Sequence, residues 1–234
     1  MSEILLRATA LSQHYGQTRA LDGVSLDLFS GSSTAIMGAS GSGKTTLLHA
    51  LAGIAVPQAG TVSYGGTTVS QLSDTERSRL RREQFGFVFQ QGLLLPELTA
   101  VENVALALML NGTSKRDALV PAAQWLAALG LGGLEERRIG QLSGGQAQRV
   151  AIARSQITGA RLTFADEPTG ALDSTTSREV MDALLGSTVG QGRTLVVVTH
   201  DAEVAARCAR VVTMSDGRIV ADSWAAGSAA GAAR

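Results

Sequence analysis

Eight residues constrain this chain more than any others: Gly38-Ala39-Ser40-Gly41-Ser42-Gly43-Lys44-Thr45. They fit G-x-x-x-x-G-K-[ST], a phosphate-binding loop that needs a strand before it and a helix after it. Both are present in the pattern. Thr34 to Met37 is a short, mostly apolar run, and Lys44 to Ala52 reads as a helix ended by Gly53, with Pro57 beyond. Glycines in such a loop let backbone N–H groups converge on phosphates without Cβ obstruction. The helix that begins near Lys44 adds the positive end of its dipole. The Lys44 ammonium neutralises β- and γ-phosphates, and the Thr45 hydroxyl, with Thr46 beside it, is placed to ligate Mg²⁺. The chain uses arginine almost everywhere, yet this position keeps a lysine; the other one is Lys115. A compact ammonium suits a point contact to phosphate.

Composition narrows the classes. The chain has 234 residues, 44% hydrophobic and 17% charged, with 27 glycines and 4 prolines, which is globular and neither disordered nor fibrous. Lys+Arg and Asp+Glu are both 20, so the chain is neutral and lacks the broad positive field of a dedicated nucleic-acid binder. No nucleic-acid partner is expected. Cys208, the single cysteine, rules out an internal disulfide framework and fits a reducing compartment. No run approaches the roughly 18–20 apolar residues that span a bilayer; Val104 to Leu110 is the longest candidate. The start MSEILLRATA has an acid at position 3 and no apolar core, so no signal peptide is expected. The expectation is a soluble intracellular chain without a membrane span of its own.

Along the chain, Ile4 to Leu11, Val24 to Leu28, Phe85 to Gln90, Leu162 to Ala165 and Thr194 to Thr199 read as strands. Gly65-Gly66 and Asp216-Gly217 mark hairpins over 60–68 and 211–221. Ser73 with Glu76 and Thr99 with Glu102 are capping boxes, opening helices to about Gln84 and over Val101 to Leu110. Further helices are predicted over Ser114 to Leu129 (with a kink or break at Pro121), Gly144 to about Thr158 behind Ser143, Ser174 to Leu185 and Ala202 to Ala209. Helices alternate with strands in the first and last thirds, while residues 95 to 158 are helical. This pattern predicts an α/β core with a helical insertion. The low-complexity tail, from about 224 to 234, is expected to be flexible.

Leu162 to Ala165 ends in Asp166-Glu167. At the carboxyl end of a buried parallel strand such a pair belongs at the ligand crevice. Asp166 fits a Mg²⁺-holding role and Glu167 a role orienting or deprotonating an attacking water. Leu142-Ser143-Gly144-Gly145-Gln146 makes another helix N-terminus and so a second anion site. One ATP does not need two phosphate sites from one chain, so Ser143 points to a second nucleotide or a second subunit.

LSGGQ, with GASGSGKT before it and ADEPTGALD after it, resembles the ATP-binding subunits of ABC transporters. The resemblance covers about Leu5 to Val220, in the family's order and spacing. It implies a P-loop NTPase core with an antiparallel β subdomain and a helical subdomain (about 95–158) in one ABC ATPase domain over 1–223. It also implies a head-to-tail dimer in which each ATP lies between one subunit's phosphate loop and the other's Ser143 helix. By position, Tyr15 resembles the adenine-stacking aromatic. Gln90 resembles the glutamine that contacts Mg²⁺ and the attacking water, Asp173 the residue that communicates across the dimer, and His200 the histidine at the γ-phosphate. Departures are mild: Thr163 interrupts the apolar strand, Ala147 stands where a bulkier polar residue is common, and Ser155-Gln156 where Ala-Leu is common.

Within the family, MGASGSGKTTLLHALAGI, LSDTERSRLRREQFGFVFQQ and LLPELTAVENV resemble a subgroup that includes lipoprotein-releasing systems, exporters of macrolides, antimicrobial peptides and haem, and the cell-division ABC complex. The resemblance implies a separate transmembrane permease, a peripheral place on the cytoplasmic face of the membrane, and export or extraction of a hydrophobic or amphipathic substrate. The alternative is mechanical signalling with no transported substrate. The expected permease dock is a groove around Gly92 to Glu97, with an apolar patch at Gly92 to Leu95, and the arginines at 77, 79, 81 and 82 are expected on a solvated helix face. Chromosome-type ABC ATPases carry long coiled-coil insertions that this chain lacks, and ribosome-associated ones carry two copies of each motif.

Overall fold

The computed structural model describes residues 3–90 and 92–224. In chain order the strands and helices begin with β1 (Ile4–Tyr15), β2 (Thr18–Phe29), β3 (Ser33–Met37), α1 (Lys44–Leu51), β4 (Ala59–Tyr64), β5 (Thr67–Thr68) and α2 (Asp74–Gln84). Next come β6 (Phe85–Phe89), α3 (Ala100–Met109), α4 (Lys115–Ala128), α5 (Gly144–Gln156), β7 (Leu162–Asp166) and α6 (Ser174–Ser187). β8 (Thr194–Thr199), α7 (Ala202–Ala205), β9 (Arg210–Ser215) and β10 (Arg218–Asp222) complete the fold. The chain forms two compact units, Met1–Ser78 with Val196–Arg234, and Arg79–Leu195.

The first unit holds an antiparallel sheet in the order β2-β1-β4-β5. Leu6, Leu11, Leu21, Leu28 and Val62 supply its fully buried face. β1 continues past its apolar run to Tyr15 because pairing continues: His14 faces Arg19 and Tyr15 faces Thr18 on β2. Gly65 and Gly66, at φ 53° and 85°, make the turn between β4 and β5, the arrangement a tight hairpin needs. A second set of strands runs β10-β9-β3-β8, with β3 parallel to β9 and every residue of β8 buried. The helix predicted to reach Ala209 stops at Ala205. Arg207 and Cys208 donate instead to the carbonyls of Val204 and Ala205, and these i→i−3 bonds tighten the last turn out of α geometry.

Arg210, 7% exposed, closes this unit. Its Nε and Nη2 donate to the Asp222 carboxylate at 2.9 and 2.5 Å, and its Nη1 to the Asp27 carbonyl at 2.6 Å. The Trp224 ring lies beneath the guanidinium at 5.2 Å and against Phe29 at 5.2 Å, and its indole N–H donates to the Ala209 carbonyl. Trp224, where the flexible tail was expected to start, is thus anchored; residues 225–234 lie outside the described residues.

In the second unit β6 and β7 run parallel in register, Phe85 with Leu162 and Phe89 with Asp166. Phe164 packs edge-on to Phe85 at 5.4 Å and stacks near Phe87 at 5.8 Å. α3 carries the predicted capping box between Thr99 and Glu102. α4 is unbroken through Pro121. The missing Pro121 N–H costs one helical bond, while Ala118, Ala122 and Leu126, all 0% exposed, hold one face of the helix in the core. α5 buries Val150, Ala151, Ile152 and Ala153 in succession, so apolar contact surrounds it.

The departures at Ser155, Gln156 and Thr163 prove to be one cluster. Gln156, 0% exposed, donates from Nε2 to Thr163 Oγ1 at 2.9 Å and to Ser155 Oγ at 3.0 Å, and its Oε1 accepts from Arg193 at 3.0 Å. A buried glutamine amide is tolerated only when its hydrogen bonds are made, and Thr163 supplies the acceptor inside an otherwise apolar strand.

Replacing Asp222 by Asn should remove about 2–3 kcal/mol of unfolding free energy by leaving the buried Arg210 charge without its carboxylate. Hydrogen bonds from Arg210 hold the Asp222 carboxyl below its usual range. The native carboxylate therefore contributes fully at neutral pH, and its contribution fades as pH falls below about 4. Denaturant titrations of D222N and wild type should differ at pH 7 and converge in acid.

Candidate functional site

In the first unit, the predicted phosphate loop runs from the end of β3 into α1. Gly43 caps α1 at φ 98°, with no side-chain hydrogen bond to the cap. A Cβ placed on Gly43 would stand 2.1 Å from the Ala20 carbonyl oxygen, so no larger residue fits. The first amides of α1 thus have no side-chain partner, and no acid lies in its first turn. Such an end attracts an anion. Lys44 is 8% exposed, and its ammonium donates to the Gly38 and Ala39 carbonyls, each at 2.8 Å. These bonds curl the loop around its own lysine. Ser42 is 6% exposed, and among the described residues its Oγ is a buried side-chain oxygen without a hydrogen-bond partner. Ala39, Ser40, Gly41 and Thr45 are exposed; Thr46 is half-buried.

The second unit gathers most of the other predicted residues. Because Phe89 and Asp166 are register partners, Gln90 and Glu167 leave the carboxyl ends of neighbouring parallel strands, where α/β sheets bind ligands. Glu167 has φ 45°. A glutamate held in left-handed backbone is a strained feature of a kind that clusters at functional sites. Asp173 caps α6: its carboxylate accepts from the Thr176 hydroxyl at 2.6 Å and from the Thr175 and Thr176 amides at 3.0 Å. These bonds, the Thr176 hydroxyl first, hold the Asp173 carboxyl below its usual range. Ser143 and Gln146 form a reciprocal capping box at the start of α5. Ser143 Oγ accepts from the Gln146 amide at 3.2 Å, and Gln146 Oε1 accepts from the Ser143 amide at 2.9 Å. Ser143 is thus the cap expected of it, and Gln146, expected at a nucleotide, also closes the box, for which S-x-x-Q is the signal. A hydroxyl that accepts one bond still has its proton to donate.

Gly144 and Gly145 were expected at a second anion site, the N-terminus of this helix. The structure adds a reason inside the chain: a Cβ on Gly145 would stand 2.4 Å from Thr176 Cγ2, and one on Gly144 would stand 3.0 Å from Leu172 Cδ2.

Tyr15 is 55% exposed at the tip of the β1–β2 hairpin, and His200 is exposed just after β8. Leu93 and Leu95 in the predicted docking patch are 59% and 44% exposed. Arg79 and Arg82 are exposed, while Arg77 folds back onto the Leu72 carbonyl and Asp74. A cavity of about 640 Å³ between α4, α5 and α6, lined by Trp125, Arg149 and Glu179 among others, contains none of the predicted site residues.

Known proteins share this fold. The family model described as ABC transporter matches residues 21–170. The macrolide export ATP-binding/permease protein MacB of Hyphomonas neptunium is 43% identical over 95% of this chain, which spans 35% of that protein. The chain therefore corresponds to about a third of such relatives. The lipoprotein-releasing system ATP-binding protein LolD of Geobacter metallireducens is also 43% identical, over 93% of this chain and 99% of LolD. Among solved structures, a dimeric post-hydrolysis state of the ATP-binding cassette MJ0796 bound to ADP and Pi has 36% identity and a TM-score of 0.83, covering 93% of this chain and 97% of that one.

The packing at Gly145 is testable. Alanine would gain about 0.5–1 kcal/mol in helix propensity, but overpacking against Thr176 costs about 1–3 kcal/mol. G145A is expected to lower stability. The double variant G145A/T176S, which removes Cγ2 and keeps the hydroxyl on Asp173, should recover about 1 kcal/mol in a double-mutant cycle measured by denaturation.

Proposed function

The chain belongs to the ABC transporter family, and from that membership and the site just described we propose that it binds and hydrolyses ATP to drive a transmembrane permease. The observation that carries this reading is the start of α1, an uncapped helix end beside a buried lysine and a buried serine hydroxyl without a partner. In this proposal the β- and γ-phosphates replace the carbonyl partners of Lys44 with anionic oxygens, giving shorter and stronger charge-assisted bonds. Ser42 gains an acceptor, and the open amides of α1 complete the cradle. Tyr15 stacks on the adenine.

Thr45, Gln90 and Asp166 are oxygen donors of the kind Mg²⁺ takes, and no group of three or more His, Cys, Asp or Glu able to hold a metal occurs among the described residues. That donor set fits an ion that arrives with phosphate oxygens and keeps its waters. When bound, Mg²⁺ would neutralise charge developing on the phosphates. Glu167 orients the attacking water and accepts its proton. His200 contacts the γ-phosphate. Ser143 and the α5 N-terminus donate to the γ-phosphate held by a second copy, arranged head to tail, with Asp173 near the dimer contact. Positioning and electrostatics then supply most of the rate enhancement, as in phosphoryl transfer generally.

Among the described residues no helix is long and apolar enough to cross a membrane. The reading places this domain peripherally on the cytoplasmic face, docked on a separate permease through Leu93 and Leu95, whose exposure supports such a contact. The names of the relatives, macrolide export and lipoprotein release, support export or extraction of a hydrophobic or amphipathic substrate.

E167Q should bind ATP within about threefold of wild-type affinity, while turnover falls by about 10²-fold or more; K44A should lose nucleotide affinity itself. Fluorescent-nucleotide titration and phosphate release measure the two effects. Near-normal turnover in E167Q would remove Glu167 from the proposed role.

A further inference from the structure

Gln90 lies in a turn that α5 holds on both sides. Before it, Gln148 Nε2 donates to the Phe89 carbonyl at 3.0 Å. After it, Arg154 donates from Nη2 to the Gly92 carbonyl at 2.6 Å and from Nη1 to the Leu93 carbonyl at 2.8 Å. Gln148 is 4% exposed, and burial pulls the Arg154 pKa below its usual value, although a guanidinium stays charged. The two residues stand six positions apart on α5, roughly 9 Å along the axis, so they grip the turn at separate points.

Two further features belong to the same grip. Leu93 has φ 45°, a strained conformation for leucine that persists only where surrounding structure imposes it, and its carbonyl is one that Arg154 holds. The Gln90 side chain lies against Gly170, where a Cβ would stand 2.8 Å from Gln90 Nε2. The other end of α5 presents Ser143 and packs Gly145 against Thr176. One helix thus carries Ser143 at its start and, through Gln148 and Arg154, the turn of Gln90 further along.

We propose that Gln148 and Arg154 are positioning residues for ATP hydrolysis, tying the turn of Gln90 to the helix that presents Ser143 so that both groups are placed as one unit. Neither residue touches the nucleotide in this proposal; they act through Gln90 and Ser143. A cationic fork spent on two neutral carbonyls is costly to bury, and its geometric return is a turn fixed at both flanks. The inference rests on the reading of the chain as an ATP hydrolase.

The test compares R154A, Q148A and R154K with wild type, using the whole chain. ATP turnover, KM and backbone hydrogen exchange are measured together. R154A is expected to lower kcat about tenfold with KM for ATP within twofold, Q148A severalfold in the same direction, and R154K is expected between wild type and R154A. Exchange should rise at residues 90–94 while α3 and the centre of α5 stay protected. A kcat within twofold of wild type in both alanine variants overturns the proposal. So does a parallel loss of kcat and ATP affinity with faster exchange throughout α3 and α5, which is the mark of a merely structural role. Absence of ATPase activity in wild type itself would instead refute the hydrolase reading, and the exchange measurement would still report whether α5 holds the turn.

Discussion

Every α-helix begins with amides that have no partner inside the helix, and how each start is satisfied organises this protein. Ser73 with Glu76 closes α2, Thr99 α3, Ser114 α4, Ser143 α5, Asp173 α6 and Asp201 α7. Among the described residues α1 is the α-helix without such a side chain. The Ala20 carbonyl leaves no room for one at Gly43. A single steric contact therefore keeps this helix end open, and the lysine next to it sets its charge.

α5 is the corresponding constraint in the second unit. Its neighbours bury it on several sides, and its buried polar residues, Gln148 and Gln156, each reach a different piece of backbone or side chain. A buried polar side chain gains little net stability over an apolar one of the same shape. What it supplies is a defined geometry. Gln148 and Arg154 define the turn around Gln90, while Gln156 fixes β7 through Thr163. The Ser155-Gln156 departure and the Thr163 departure are therefore one substitution in physical terms, since each satisfies the other.

The neutral composition fits a protein whose anion recognition is local. Helix ends, backbone amides and one ammonium act within a few ångströms, where no long-range field is needed. In the proposed function the two tasks of motor and membrane passage are separated: phosphate chemistry stays in this domain and the bilayer is crossed by a partner.

Much of this was legible from residues alone because it is local. The phosphate loop, the capping boxes at Ser73 and Thr99, the Gly-Gly and Asp-Gly hairpins and the strand ending in Asp166-Glu167 all follow from rules that operate over a few residues. The sequence by itself thus determined the fold class, the family and the candidate site residues. It misplaced what depends on packing: the continuity of α4 through Pro121, the early end of α7 and the anchoring of Trp224. Only the tertiary structure decided that Gly145 makes room for Thr176, that Gln156 answers Thr163, and that Arg154 holds carbonyls 61 and 62 residues away. Glycine sterics and helix-end amides are properties of neighbouring residues. Which buried donor meets which distant acceptor is settled by the close approach of elements, and no local pattern encodes it.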